Sequence, residues 1–155
     1  FTKFGGHPMA AGLSLPTENI DLFRAKLNRQ QTLTEKELTP VTWIDVPMPV
    51  SYASKKLVEQ LRVLEPFGKG NEKPVFADRK LTVRSANMIG KNKNVLKMQL
   101  EDTQGHVVDA IQFKVEEEDM PLRGKEISIV YYPDINEFRG NQTLQFIVQE
   151  WCYTT

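Results

Sequence analysis

The sequence predicts a mainly β protein with α elements: a small five-stranded barrel of Greek-key type, preceded by a helical lead-in and a short α/β piece. Three observations carry this. From Val75 onward, short runs of alternating apolar and polar residues are separated by turns rich in Gly and Asn, the pattern of strands joined by hairpins. Before Pro66 the apolar residues recur instead at spacings of three and four, as in Ile20, Phe23 and Leu27 or Leu57, Leu61 and Leu64. The 155 residues are 40% hydrophobic and 26% charged, which suits one ordinary domain or two small ones and excludes a wholly disordered chain.

The elements follow in order. Phe1 to Phe4 reads as the end of a strand, broken by Gly5-Gly6. Pro8 suits a first helical turn, where its missing N–H costs nothing, and Met9 to Ala11 continue a short helical stretch that Gly12 ends. Leu13 to Leu15 alternates like a brief strand. Thr17 is a candidate N-cap, with Glu18 and Asp21 in the first turn of a helix that runs to about residues 29–32. The polar stretch Thr34 to Pro40 reads as a linker. Val41 to Val50 is extended, with Pro47 and Pro49 making it an edge or a turn, and Ser51 to Glu65 is a second helix stopped by Pro66. Pro66 to Asn71 is a glycine-rich loop.

Strands are then expected at Val75 to Asn87 (interrupted near Asp78-Arg79), Val95 to Glu101, Val107 to Phe113, Lys125 to Tyr132 and Thr143 to Trp151. Turns fall at Gly90 to Asn94, at Thr103-Gln104-Gly105 and at Gly140-Asn141. Glu116 to Leu122 holds at most one helical turn. Five antiparallel strands with a short helical insert between the third and the fourth are the arrangement of the OB-fold.

Charge is balanced, 20 basic against 20 acidic residues, so no global basic footprint marks a nucleic-acid binder, and any anion site must be local. The single cysteine, Cys152, excludes an internal disulfide framework and fits a reducing compartment; lying in an apolar run, it is expected to be buried and inert. No stretch approaches the ~18 apolar residues of a membrane span and no signal peptide is visible. A cytoplasmic protein without membrane contact is expected. A start at Phe1 suggests either a piece of a longer chain or a processed N-terminus.

Gly5-Gly6-His7-Pro8-Met9-Ala10-Ala11-Gly12 is the first candidate site. Glycines let backbone N–H groups approach a ligand, a helix start adds free N–H groups, and His7 adds a hydrogen bond or a charge, a combination suited to phosphate. A plain strand-to-helix turn with a surface histidine explains the same residues. Metal binding is not expected: only His7, His106 and one cysteine are available, and no ligand spacing supports a site. The acidic run Glu116 to Asp119 reads as a solvated helix start.

Those eight residues resemble the Gly-Gly-His motif of the DHH-associated domain of the DHH phosphoesterase superfamily. Leu64-Glu65-Pro66-Phe67-Gly68-Lys69-Gly70-Asn71-Glu72-Lys73-Pro74-Val75-Phe76 resembles the LEPFGxGNPxPxF signature of the RecJ family of bacterial single-strand-specific exonucleases, with Glu72 in place of the usual proline. Ile135 to Gly140 is similar to a late hairpin of the same family. The three matches occur in order over nearly the whole chain. The resemblance implies a domain order in which residues 1–38 are the C-terminal piece of a truncated α/β DHH-associated domain. Residues 41–155 are then the OB-fold domain, with a strand/helix lead-in at 41–74.

The resemblance also implies a parent enzyme that hydrolyses single-stranded DNA from the 5′ end in DNA repair and recombination. Mn2+ or Mg2+ would be held by a catalytic DHH domain absent from this chain. The chain has no Asp-His-His run, so it is expected to be inactive alone, to hold no cofactor and to contain no catalytic residue. Gly5, Gly6 and His7 would contact substrate phosphate. Single-strand binders pair a cationic groove with aromatic platforms, and the first and last inter-strand turns of an OB-fold flank its binding face. Arg79, Lys80, Arg84, Lys91, Lys93, Lys97 and Arg139 are the candidate DNA-binding cations. Tyr131 and Phe138, with Tyr132 and Phe113 behind them, are the candidate stacking residues, at most one of Tyr131 and Tyr132 pointing inward. The Phe67–Asn71 loop could be a phosphate nest around Lys69 or a joint with Phe67 as a plug; the joint is favoured. Expected partners are single-stranded DNA and, beyond it, a single-strand-binding protein or other repair proteins. The alternative reading is an OB-type protein-docking module of a repair complex. An RNA-directed enzyme sharing only the DHH-associated domain is a third.

Overall fold

The computed structural model describes residues 3–154. They divide into a first unit ending at Thr42 and a second beginning at Trp43.

The first unit opens with a two-stranded hairpin, β1 (Lys3–His7) and β2 (Ala10–Ser14). The strands are antiparallel, with His7 opposite Ala10 and Pro8-Met9 as the loop. Of the helix expected over Met9 to Ala11, Met9 is therefore in the loop and Ala10 and Ala11 are strand. Proline's fixed φ serves the second position of a tight turn as well as a helix start, and small residues on both strands let the backbones close together. At Gly6 the fit is steric: a Cβ there would lie 2.7 Å from the Ala11 Cα, whereas one on Gly5 would meet nothing within 4 Å. A 3₁₀ turn at Thr17–Asn19 leads into α1 (Ile20–Gln30). The expected N-cap, Thr17, thus lies inside the 3₁₀ turn, and no side chain caps either segment. The expected linker contains a one-turn helix, α2 (Glu35–Leu38), opened by a capping box in which Thr34 and Glu37 bond reciprocally. No described residue of this unit is buried.

The second unit is a closed barrel. Its strands are β4 (Phe76–Ile89), β5 (Val95–Glu101), β6 (Val107–Phe113), β7 (Glu126–Phe138) and β8 (Asn141–Tyr153), in the order β4-β5-β6-β8-β7, with β7 returning to pair with β4. A two-residue strand, β3 (Val46–Pro47), adds in parallel to the start of β4. One pairing differs from the all-antiparallel expectation: β6 and β8 run parallel at Ala110–Phe146 and Ile111–Ile147. In a Greek key the last strand comes back beside the third from the other side, so this pair cannot be a hairpin. The insert before β7 is a single 3₁₀ turn at Glu117–Asp119.

β4 serves two neighbours, pairing with β7 along Phe76–Thr82 and with β5 along Thr82–Ile89. It bends through register shifts between Asp78 and Leu81 and between Val83 and Ser85, and Lys80 takes φ 60° at the first. On β5, Leu96, Met98 and Leu100 turn inward and Lys97 and Gln99 outward. The core adds Leu81, Val83, Ala110, Ile127, Ile129, Phe146 and Val148. Tyr131 stands at its centre, its ring 5.9 Å from that of Phe76 and 5.2 Å from that of Phe146, and its hydroxyl donates to the Met48 carbonyl at 2.8 Å.

The lead-in is tied to this barrel. The expected long helix is three pieces: a 3₁₀ turn at Val50–Tyr52, α3 (Lys55–Leu61) capped by the Ser54 hydroxyl, and a 3₁₀ turn at Arg62–Leu64. Val50 and Val58 are buried, and the Val50 N–H donates to Asp78 Oδ2 at 2.8 Å. The following loop is closed on itself. Gly68 and Asn71 exchange backbone hydrogen bonds at 2.8 and 3.0 Å, and Asn71 Nδ2 donates to the carbonyls of Leu64 and Pro66 at 2.8 and 3.0 Å.

Cys152 is exposed, contrary to expectation. β8 carries a bulge: Tyr131 faces Val148 but Val130 faces Glu150, so Gln149 is the extra residue. The bulge shifts the inward and outward phase by one, which turns Cys152 to the surface.

Candidate nucleic-acid interface

The outer surface of β4, β5, β6 and β8 follows from the register. Asn87, Lys97 and Ile111 form one cross-strand row, and Ser85, Gln99 and Asp109 form the next. On one flank, the β7–β8 hairpin tip contributes Phe138 and Arg139. A shallow groove of about 290 Å³ joins Lys97 and Asp109 to Asn136, Phe138, Thr143 and Gln145. The Arg139 guanidinium lies 5.1 Å from the centroid of the exposed Phe138 ring, and Arg139 itself takes φ 51°. The hairpin is tethered from the lead-in, where Lys55 Nζ donates to the Gln142 carbonyl at 2.5 Å. On the opposite flank, the β4–β5 loop carries Lys91 and Lys93, both exposed.

The candidate cations therefore separate. Lys91, Lys93, Lys97 and Arg139 border or lie on this outer face. Arg79 lines a different groove, of about 420 Å³, with Ile44, Trp151 and Cys152. Arg79 is eight residues from Asn87 along β4, roughly 26 Å of strand. Lys80 sits beside Arg79 at the bend. Arg84 is occupied by an ion pair with Glu101, at 3.1 Å. A sequence cluster on a long strand spreads over a long distance once the strand is extended.

The aromatic candidates separate as well. Tyr131 cannot stack on a base, because it is fully buried and hydrogen-bonded. Burial, and then the nearby Asp78 carboxylate, push its hydroxyl well above the ordinary tyrosine value. Tyr132 turns the other way and is buried too. The Phe67 ring meets it edge-on at 6.4 Å, and the Lys73 ammonium lies 4.3 Å from its centroid. Burial raises its hydroxyl also, with Asp134 and Glu65 adding to the shift and Arg62 opposing it. Only Tyr131 points into the barrel, as expected of adjacent strand residues; Tyr132 faces outward but is buried all the same, because the lead-in loop covers it. Phe67 acts as the plug of that loop. Phe138 and Phe113 remain exposed, at 64% and 53%.

Lys114 is a cation that the linear reading missed. Phe113 pairs with Val95, and the Val115 N–H donates to the Asn94 carbonyl at 3.2 Å, so Lys114 lies beside the β4–β5 loop. The hairpin register of β5 and β6 was a signal that could have found it.

At the other end of the chain, Gly5, Gly6 and His7 lie on β1, exposed, and no helix begins there. A phosphate at this motif would meet no helix dipole, since the first helical turn starts only at Thr17. Among the described residues no three His, Cys, Asp or Glu side chains converge.

A family model described as the RecJ OB domain matches residues 44–150. The chain belongs to the RecJ family. The single-stranded-DNA-specific exonuclease RecJ of Haemophilus influenzae is 38% identical over 150 residues, covering 94% of this chain and 26% of that protein. RecJ of Bacillus subtilis is 32% identical over 150 residues, covering 95% of this chain and 19% of that protein. The chain thus spans about a quarter or less of the length of these curated relatives. The crystal structure of RecJ from Thermus thermophilus in complex with Mn2+ superposes with a TM-score of 0.67 at 18% identity, over 99% of this chain and 22% of that one. That likeness concerns the fold. No helix among the described residues is long and apolar enough to cross a membrane.

Proposed function

We propose that this chain is the nucleic-acid-holding C-terminal part of a bacterial single-strand-specific 5′-to-3′ DNA exonuclease acting in the cytoplasm in DNA repair and recombination, and that its barrel grips the single strand. The observation that carries the reading is the outer face centred on Lys97. Uncovered cations on both flanking turns, with the exposed rings of Phe138 at the hairpin tip and Phe113 at the end of β6, border a polar floor of Asn87, Gln99 and Gln145. Such a surface suits a flexible polyanion: ammonium and guanidinium groups meet phosphates, and exposed rings accept bases without regard to sequence. Gly5, Gly6 and His7 are assigned to substrate phosphate on the strength of the family motif. Hydrolysis, with its Mn2+ or Mg2+, is assigned to a part of the protein outside this chain, so the chain alone is expected to leave DNA intact.

The test is fluorescence anisotropy of the 155-residue chain with a 5′-phosphorylated single strand and with the matching duplex, across a salt series. Salt-sensitive binding that prefers the single strand, weakened by Lys97→Gln and Arg139→Gln, is the expected result. Absence of binding at low salt would overturn the reading and favour a protein-docking module whose partner is a single-strand-binding protein or another repair protein.

A further inference from the structure

The Lys97 groove does not exhaust the cations and aromatics of the outer face. One row of residues further along β5, where the β4–β5 loop meets the exit of β6, the register aligns Ile89 with Val95 and Val95 with Phe113. All three point outward, since Leu96 and Met98 take the inward positions. Ile89 and Phe113 are 41% and 53% exposed. The surface there is an apolar strip three strands wide, with a ring at its edge.

Three lysines follow or flank its residues along the chain. Lys91 and Lys93 belong to the turn closed by the Lys93 N–H donating to the Gly90 carbonyl at 3.2 Å, and Lys114 follows Phe113 directly. None of the three ammonium groups has a hydrogen-bond or ion-pair partner among the described residues. Lys114 also borders a recess lined by Glu118, Asp119 and Glu150, without forming an ion pair to any of the three. The contrast with Arg84, neutralised by Glu101, is direct.

The backbone adds a second, independent observation. Lys93 and Lys114 both have left-handed φ, 46° and 60°. That conformation costs an L-residue roughly 1–2 kcal/mol and costs glycine nothing comparable. Every non-glycine residue with positive φ among the described residues is basic: Lys80, Lys93, Lys114 and Arg139. Where glycine would relieve the turn, the chain keeps a cation whose side chain gives the fold no bond in return. Local strain retained without structural benefit points to a ligand.

We propose that this end of the barrel is a separate nucleotide subsite, in which the Ile89–Val95–Phe113 strip receives one unpaired base and Lys91, Lys93 and Lys114 hold the phosphate beside it. The subsite rests on the reading of the barrel as a single-strand grip and extends it beyond the Lys97 groove. A strand lying over both would meet Phe138 at one end and Phe113 at the other.

The experiment uses the 155-residue chain and a fluorescent oligothymidylate of about 12 nucleotides, within the span of one OB fold, titrated over a salt series. Phe113→Ala is expected to weaken binding about tenfold, the scale of one lost base stack, and Phe113→Trp to restore it. Lys114→Gly is expected to leave the unfolding temperature unchanged or raised while lowering affinity, and to reduce the log–log salt slope by about 0.7, one single-strand phosphate contact. A purely structural role for Lys114 would not separate stability from affinity in that direction. Salt-sensitive binding by the unsubstituted chain, with Phe113→Ala and Lys114→Gly indistinguishable from it, would overturn the subsite and leave the proposed function standing. No binding by the unsubstituted chain would overturn both.

Discussion

The two units of this chain solve the folding problem to different extents. The barrel closes its sheet on itself and encloses an aromatic and aliphatic core in which Tyr131 donates its one polar group to Met48. The first unit has a hairpin and a helix with an apolar stripe, yet Phe4, Leu22 and Leu27 stay exposed and no described residue is buried. A two-stranded hairpin is marginal in water without a surface to pack on, whereas a closed barrel with a filled interior needs none. Regular secondary structure and a stabilising core are separate achievements, and here one chain displays the first without the second beside a unit that has both.

Amide exchange tests that contrast most severely. Protection in β7 and β8 should exceed that in β1, β2 and α1 by on the order of a thousandfold or more, since core strands open only with global unfolding and unsupported elements open freely. Uniform protection would show that the first unit is stabilised by something beyond its own contacts. Next in size is a pair of matched truncations followed by chemical denaturation. Phe146→Ala should cost about 3–5 kcal/mol, and Leu27→Ala within about 0.5 kcal/mol, because only the former leaves a cavity. Smaller again, Asn71→Ala removes the donor that closes the loop over Tyr132 and should cost about 1–2 kcal/mol, read as a lower denaturation midpoint with an unchanged slope.

The smallest effect is at the rim, in the β5–β6 turn. Burial acts to raise the Asp102 carboxyl, but hydrogen bonds from the backbone N–H groups of His106 and Gln104 and from the His106 ring outweigh it and hold the group below its ordinary value. A carboxyl depressed in the folded state contributes stability above its unfolded pKa, about 3.9, and that contribution fades as pH falls through the folded value. NMR titration should show residues 102–106 shifting below about pH 4 while the barrel core stays unchanged.

What could be read in advance divides along physical lines. Strands β5 and β6 and their turn were legible because one face is buried and the other wet, so alternation appears in the residues themselves. The hairpin at Gly5 to Gly12 was misread because proline and small residues serve a helix start and a tight turn equally, and only the partner strand decides. Cys152 was misplaced by one bulge, which reverses inward and outward without a mark in the sequence. Tyr132 was misjudged because its cover, Phe67, comes from a loop far earlier in the chain. The cation cluster was half legible: the sequence announced it, but β4 carries Arg79 and Lys80 eight and seven residues along the strand from Asn87, roughly 23–26 Å of chain, while Lys114 comes in from the end of β6.

The adjacent glycines of β1 carry different information. Substitution at Gly6 must fail on geometry alone, since a methyl group there would collide with Ala11 across the hairpin. Gly5 has open space where its side chain would be. In a saturation screen of the full-length protein for the proposed nuclease activity, loss of activity at Gly6 would therefore be silent about ligands. Intolerance of alanine at Gly5, its immediate neighbour on the same strand, would be a direct genetic readout of something docking against it.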